Sequence, residues 1–454
     1  MSSLRRKNTL ISLLAAAAVT VTAIAAVGGA AAAPRHVAPR HVAPRHVAPR
    51  HVAPRHVAPR HAATHHKVPL GPGPVVLPTS GPAVYATNRL GLGLLCNLDG
   101  NGNLVVSPYS VETALAMVDQ GAAGATASAI DHLLGVSWPG QIATDNSLLR
   151  QGLHAAVRDH GSHGPTFDDA NNIWVQSGFT LESPFSSTLS SDFGVTPQSA
   201  DFTTDPTGAT SAINSWVSAH TAKLIKKLMP AGSITPLTRL VLANAIYLKA
   251  KWESPFGDAN TADRDFFPAA APAVRTPFMN QIGFFSYHRA NGYTAVDLPY
   301  AKSSLSMLAV MPTKSTIGAF EHKLTPHQLN TIASGLHSAD MSLSVPKFKL
   351  SIDSNLNSVL SQLGMAVAFG NGANFSGISK KIQLVIQDVE HDAVLKVDEA
   401  GTVAAAATGI AVGTTAIETP PSLHIRLNHP FLVFLRDDKT GAVLFAARVA
   451  NPAS

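Results

Sequence analysis

Cysteine, charge and aromatic side chains are all scarce in this chain of 454 residues, which has one Cys, 14% charged residues and 6% aromatic residues. A single cysteine excludes a small disulfide-stapled scaffold and a structural zinc module with cysteine ligands. Apolar residues make up 45% of the chain, which excludes a wholly disordered protein. The length is sufficient to bury a large core.

The common catalytic motifs are missing as well. The sequence has no His-Glu pair, which excludes an HExxH zinc site, and no Gly-Lys pair, which excludes a Walker A phosphate loop. The segment Gly135–Gly140 misses the GxSxG nucleophile motif by one residue, and no other pattern indicates a Ser-His-Asp site. We expect no cofactor or metal ion; a hydrolase whose Ser-His-Asp site is assembled from distant parts of the chain is the remaining enzymatic alternative.

The formal net charge of +6 is unevenly distributed. Residues 1–67 contain ten Lys or Arg and no Asp or Glu, whereas residues 68–454 contain 24 Lys or Arg and 28 Asp or Glu. The body of the protein is therefore slightly acidic. Bulk charge gives no reason to expect a nucleic-acid partner.

Residues 1–33 have the pattern of a secretory signal peptide. Arg5–Lys7 precede an apolar run that begins at Leu10, and Ala31–Ala33 supply the small residues of a signal-peptidase site. An uncleaved membrane anchor is the alternative, but an Ala- and Gly-rich run is weakly hydrophobic for a permanent span. We expect a secreted, extracellular protein with no stable membrane span after processing.

Residues 34–75 are dominated by a repeat. Ala-Pro-Arg-His-Val occurs five times from Ala33. Proline at every fifth position predicts an extended, solvated tether. Neighbouring histidines would lie about 15 Å apart in polyproline geometry, too far to share one metal ion. We expect a cationic spacer rather than a metal site.

Residues 76–454 combine helical and strand patterns without a break, which predicts one α+β domain because helices concentrate early and strands late. Helices are predicted over Tyr85–Leu98 and Ile213–Leu228. The predicted strands, rich in Val, Ile, Leu and Phe, are Leu240–Lys249, Leu305–Met311, Met341–Lys349, Ile382–Val389, Ala393–Val397, His424–Leu427, Phe431–Leu435 and Val443–Ala447.

An unusual segment lies between Glu399 and Glu418, where eighteen residues contain no charge, proline or aromatic side chain. Its glycines, threonines and valines disfavour a stable helix. As a strand it would place Thr402, Ala404, Ala406 and Thr408 on one side, all small enough for burial. The alternative is an exposed, flexible loop.

Several separate motifs between Tyr85 and Pro452 resemble the serpin family. They include Asn103–Ser110, Asn171–Gln176, Ile213–Val217, Leu242–Trp252, Leu298–Tyr300, Val345–Phe348, His429–Phe431 and Ala450–Pro452. Each motif is weak alone, but their order and spacing together are specific. The resemblance implies the serpin fold, with three β-sheets, eight or nine helices and an exposed reactive-centre loop between the strands near Val397 and His424.

The loop hinge is similar to that of inhibitory serpins. The matching residues are Glu399, Gly401, Thr402, Ala404, Ala405, Ala406, Ala407 and Thr408. The resemblance places the scissile bond at Thr415–Ala416, with Val412 or Thr414 as alternative cleavage positions. No Lys or Arg lies between Lys396 and Arg426, which disfavours a trypsin-like target and favours an elastase-like or subtilisin-like serine protease as partner.

The resemblance also implies residues that control opening of the central sheet. Ser107, Ser110, Asn244 and His391 match the polar cluster beneath it, while Trp252 and Glu399 match the point where the loop enters. His391 is either a satisfied core histidine or a pH-sensitive latch. We expect a monomeric suicide inhibitor; the alternative is a noninhibitory serpin-fold binding or structural protein, tethered by the repeat.

Overall fold

The computed structural model describes residues 81–98, 100, 102–136, 139–158, 164–402 and 421–454. The predicted signal peptide, the predicted tether and residues 403–420 of the predicted reactive loop lie outside the described residues.

The described helices mostly begin at proline or at a side-chain cap. Ser107, Asp205, Thr316 and Thr325 each accept a hydrogen bond from a backbone N–H of the first turn, which satisfies a donor that the helix itself leaves unpaired. The helices are α1 (Pro82–Asn97), α2 (Pro108–Asp119), α3 (Gly124–Leu134), α4 (Pro139–Arg158), α5 (Ser183–Asp192), α6 (Pro206–His220), α7 (Ile317–Glu321), α8 (Pro326–Ser334), α9 (Asn357–Leu360) and α10 (Ala366–Phe369).

The last two helices are joined by a π-helical turn, Ser361–Met365, and form one irregular unit that is kinked at Gly364. Counted in this way, the described residues contain nine helical units, within the expected eight or nine. No described helix combines the length and apolar character that crossing a bilayer requires.

The strands form two hydrogen-bonded sheets in the described part of the chain. They are β1 (Leu104–Val106), β2 (Thr166–Gln176), β3 (Gln198–Ala200), β4 (Leu240–Lys251), β5 (Ala262–Phe266), β6 (Val274–Ala290), β7 (Tyr293–Pro299), β8 (Leu305–Pro312), β9 (His337–Pro346), β10 (Phe348–Asn355), β11 (Glu390–Asp398), β12 (Gly401–Thr402), β13 (Leu423–Arg426), β14 (Phe431–Asp437) and β15 (Val443–Val449).

The nine-stranded sheet has the order β1-β15-β14-β8-β7-β6-β9-β13, with β5 paired to β6. Strand β6 has 17 residues, which is long enough for it to take part in two regions of this sheet. Its first portion pairs with β5 and β9, and its last portion pairs with β7. Two of the three expected sheets therefore share this strand. The α+β expectation is confirmed.

The six-stranded sheet, in the order β10-β11-β12-β4-β2-β3, has a buried side on each face. On β4, Ala243 and Ala245 pack with α6 in one apolar cluster. Ile246, Leu248 and Ala250 join the main core, which includes residues of α2. Strand geometry explains this division, because alternate side chains point to opposite faces.

Three sequence predictions were wrong in detail; one of them, the strand predicted over Met341–Lys349, is divided at Lys347 into β9 and β10. The helix predicted over Ile213–Leu228 ends at His220, since Asn214 exchanges hydrogen bonds with the backbone of Met229 and folds the following segment back onto α6. The apolar residues after His220 that are buried are therefore covered by the packing of this folded-back segment and not by a continuation of the helix. The strand predicted over Ile382–Val389 is also absent, because β11 begins only at Glu390.

The chain leaves α6 through two strained residues. Ala222 and Lys223 have φ values of 48° and 64°, in the left-handed region that costs a residue with a side chain about 1–2 kcal/mol. Lys223→Gly should relieve this strain and raise the free energy of unfolding by about 0.5–1 kcal/mol, measured as the urea midpoint. Ala219→Gly, an exposed helical position of α6, should lower it by about 1 kcal/mol. Equal effects of the two changes would contradict the assignment of strain.

Candidate functional site: the open central sheet and the loop hinge

The central feature of the six-stranded sheet is a gap that is bridged at one end only. Strands β4 and β11 are joined through the two residues of β12: Gly401 pairs with Lys251 and Asp398, and Thr402 pairs with Ala250 and Val397. In the part of the chain that the structure describes, no other residue pairs with both strands. Among the described residues, β4 and β11 are therefore bridged at this end only, and the hinge lies at the start of the gap between them.

Only glycine fits the first of these two positions. Gly401 has φ 148°, and a Cβ atom there would lie 2.0 Å from the carbonyl oxygen of Ala250. A contact this short is with backbone and cannot be relieved by a side-chain rotation. The close approach of the hinge to β4 thus depends on the missing side chain.

Trp252, directly after β4, and Tyr300, directly after β7 of the other sheet, hold the hinge. Their rings are stacked with centroids 4.7 Å apart, and the Trp252 indole N–H donates to the carbonyl oxygen of Asp398 at 2.9 Å. The Tyr300 hydroxyl hydrogen-bonds the hydroxyl of Thr402. Both aromatic residues are almost fully buried. The hydrogen bond between Tyr300 and Thr402, which lies among buried aromatic side chains, therefore holds the first residues of the loop in place.

Glu399 fixes the chain just before the hinge. Its carboxylate oxygens accept hydrogen bonds from Lys347 Nζ at 2.9 Å and 2.8 Å, and Thr261 Oγ1 donates to Oε1 at 2.8 Å. Partial burial works to raise the pKa of Glu399, but the hydrogen bonds from Lys347 and Thr261 outweigh it, and the pKa lies below its ordinary value. Glu399 is thus an ionised anchor at neutral pH.

The polar cluster predicted beneath the sheet is partly assembled. The Ser107 backbone N–H donates to His391 Nε2 at 3.0 Å, its hydroxyl donates to the carbonyl oxygen of Leu444 at 2.7 Å, and Ser110 N–H donates to Ser107 Oγ at 3.2 Å. Asn244 instead donates to the side chain of Asn171 on β2. The structure therefore ties His391 on β11 to α2, and Asn244 on β4 to the strand beyond it.

A cleft of about 480 Å³ lies between His391 of β11 and Asn244 of β4. Ser110, Leu242, Asn244 and His391 are among its lining residues. The two polar residues that face each other across the opening thus come from β4 and β11, the strands that the hinge joins further along. The described residues hold no group of three or more His, Cys, Asp or Glu side chains placed to bind a metal ion.

The structure and the sequence identify overlapping sets of residues. Ser107, Ser110, Asn244, His391, Trp252, Glu399, Gly401 and Thr402 all border the opening or the hinge. Lys347, Thr261 and Tyr300 were not identified as site residues, although Lys347 and Tyr300 stand in quoted motifs. Ala404, Ala405, Ala406, Ala407, Thr408, Thr415 and Ala416 lie outside the described residues.

His391 carries the pH dependence of this cluster. Complete burial lowers the pKa of His391 to about 4, because a desolvated imidazole resists protonation. An unfolded histidine titrates near pH 6.5, so between pH 6.5 and 4 the unfolded chain binds more protons than the folded one. The free energy of unfolding therefore decreases as the pH falls from 6.5 to 4.

We expect a pH-dependent difference between the wild type and His391→Gln, whose amide oxygen can still accept from Ser107 N–H. Between pH 7.5 and 5 the wild type should lose about 2 kcal/mol more than the variant. The measurement is the urea midpoint against pH, in which other buried carboxyls titrate alike in both proteins and cancel. His424→Gln, at an exposed histidine, should run parallel to the wild type. Parallel curves for all three proteins would refute the role of His391.

Comparisons with known proteins agree with this geometry. Residues 86–452 match the family model described as Serpin (serine protease inhibitor). Iripin-5 from Ixodes ricinus is 36% identical over 369 residues, which cover 80% of this chain and 93% of the relative. Serpin-Z7 from Hordeum vulgare is 33% identical and covers 77% of this chain and 90% of its own length.

Among solved structures, cleaved Serpin 42Da matches with a TM-score of 0.70 and 29% identity, covering 82% of this chain and 99% of its own. Tengpin, a thermophilic serpin in the native state, matches with a TM-score of 0.73 and 26% identity, covering 81% of this chain and 94% of its own. With the family model spanning most of the chain and the central sheet built as described above, this chain belongs to the serpin family.

Proposed function

We propose that this protein is a secreted, monomeric suicide-substrate inhibitor of a serine protease with elastase-like or subtilisin-like specificity. The observation that carries the proposal is the position of Gly401 and Thr402, which pair with β4 and β11 at the start of an opening in the sheet. A loop that already occupies the entrance needs no new pairing partner to extend. Secretion is supported by the sequence of residues 1–33.

The existing register defines where an inserted strand would lie. Continued along β4 and β11 without a shift, it would set Ala404 between Leu248 and Leu395, and Thr408 between Asn244 and His391. Directly paired residues in adjacent strands point to the same face. The even-numbered positions would therefore follow Thr402, which is 1% exposed, onto the buried side of the sheet.

The side chains at those positions are small. The even-numbered positions after Thr402 are Ala404, Ala406 and Thr408, and none adds a charge or a large volume to a packed interior. Thr408 would bring a hydroxyl to Asn244 and His391, which now face each other across the cleft. This match between a segment and its receiving strands supports insertion over a purely structural role.

Insertion would supply the free energy for inhibition. Each new strand residue satisfies backbone groups along β4 and β11, and a net backbone hydrogen bond contributes about 0.5–1.5 kcal/mol. A protease that attacks Thr415 forms an acyl-enzyme through its own serine, and cleavage frees the loop to insert. The attached protease would then be carried along and its catalytic geometry distorted before deacylation.

The decisive experiment is incubation of the full chain with pancreatic elastase, neutrophil elastase, subtilisin and trypsin. We expect a covalent complex that survives denaturing gels with an elastase or subtilisin, none with trypsin, and a cut at Thr415–Ala416 by mass spectrometry. The nicked protein should melt well above the intact one. Cleavage without a complex, and without a gain in melting temperature, would instead favour the noninhibitory binding or structural alternative.

A matched pair of charged variants tests the insertion path. Thr402→Glu would bury a carboxylate beside Tyr300 and obstruct insertion, and should convert the inhibitor into a substrate, raising the moles of inhibitor consumed per protease at least about tenfold. Val403→Glu would occupy the opposite face, between Lys249 and Lys396, and should leave that ratio near the wild-type value. The same loss in both variants would contradict the register.

A further inference from the structure

Two large apolar side chains stand exposed side by side on β6. Ile282 is 59% exposed and Phe284 is 67% exposed, whereas the next residue, Phe285, is buried. Among the strands that the structure describes, Ile282 and Phe284 are the large apolar side chains that are exposed to solvent. They add nothing to the core, and contiguous exposed apolar side chains mark an interaction surface more often than scattered ones.

The sheet register fixes what surrounds this pair. Ile282 pairs with Ser342 of β9, which pairs with His424 of β13, and Phe284 pairs with Asp340. Arg426, two residues after His424 on β13, points to the same face of the sheet. The pair thus forms an apolar centre within a polar rim, which is the arrangement found in protein–protein interfaces.

This surface lies between the two ends of the reactive loop. Strand β13, which begins two residues after the loop returns at Pro421, is two strands from β6, or about 10 Å. On the other side, Phe284 lines a cleft of about 1070 Å³ together with Glu253 and Ser254. Those residues follow Trp252, whose backbone N–H donates to the carbonyl oxygen of Ala400 at 3.0 Å. A protein bound to the loop would face this surface.

We infer that Ile282 and Phe284 form a docking surface for the body of the protease that attacks the loop. The inference rests on the proposed function, because the loop is what brings the protease here. The contact would be made in the encounter complex, outside the protease active site. It would select among proteases that accept the same small residues in the loop, where the cleavage sequence alone discriminates weakly.

The test compares Ile282→Ser, Phe284→Ser and the double variant with the wild type, using full chains and the same elastases and subtilisin. The double variant should form complex at least about tenfold more slowly with the protease that the wild type inhibits fastest, as expected when interface residues are truncated. The moles of inhibitor consumed per protease should not change, because insertion is untouched. The single variants should each show part of the loss.

Leu237→Ser is the matched control. Leu237 is 75% exposed and precedes β4, whose 12 residues place it about 40 Å from the loop end of that strand. Its rate should equal that of the wild type. Unchanged urea midpoints in all variants would establish that the folds are intact.

Three results would overturn the docking surface. The first is a rate of complex formation by the double variant within about twofold of the wild type for every protease, and the second is an equal loss of rate in Leu237→Ser. The third is a shift from dimer in the wild type to monomer in the double variant on light scattering, which would assign the pair to contact with a second copy. If the wild type is cleaved without trapping any protease, the proposed function fails. The docking surface is then judged separately by the same comparison of cleavage rates.

Discussion

The arrangement of β4 and β11 governs the rest of this molecule. In the described part of the chain, these two long strands of one sheet are joined only where Gly401 and Thr402 lie between them. Backbone N–H and C=O groups along a strand edge require partners, and the proposed function assigns the gap between β4 and β11 to the inserted loop. The cleft lined by Asn244 and His391 is the interior counterpart of that opening.

The contacts around the hinge connect the two sheets. Tyr300 directly follows β7 of the nine-stranded sheet and hydrogen-bonds Thr402, while Lys347, between β9 and β10, binds the carboxylate of Glu399. Each contact pairs a residue of one sheet with the start of the loop. The hinge is consequently held by side chains whose positions are set by strands far apart in the sequence. The start of the loop is therefore held by a small number of polar contacts from both sheets.

The proposed docking surface and the gap between β4 and β11 require different side chains. The opening requires small, uncharged side chains that can be buried, whereas the surface on β6 displays Ile282 and Phe284 to solvent. Rate of encounter and completion of insertion would thus be set by separate residues. Under the proposed function, a change of selectivity on β6 leaves the inserting strand unaltered.

The sequence by itself determined the α+β class, the serpin resemblance and the neutral, small-residue hinge, because these depend on residue type, order and local spacing. It also placed a helix over Tyr85–Leu98 close to the observed α1. It overextended the helix after Ile213, since apolar periodicity does not distinguish a continuing helix from a segment folded back by Asn214.

Only the tertiary structure decided which polar residues meet. Ser107 binds His391 across 284 positions of sequence, whereas Asn244 turns to Asn171, and no local pattern distinguishes these outcomes. The same holds for Lys347 and Tyr300 at the hinge and for the exposure of Ile282 and Phe284. Burial, hydrogen-bond partners and the pKa of His391 are properties of neighbours in space, which the chain acquires only when distant strands pair in a particular register.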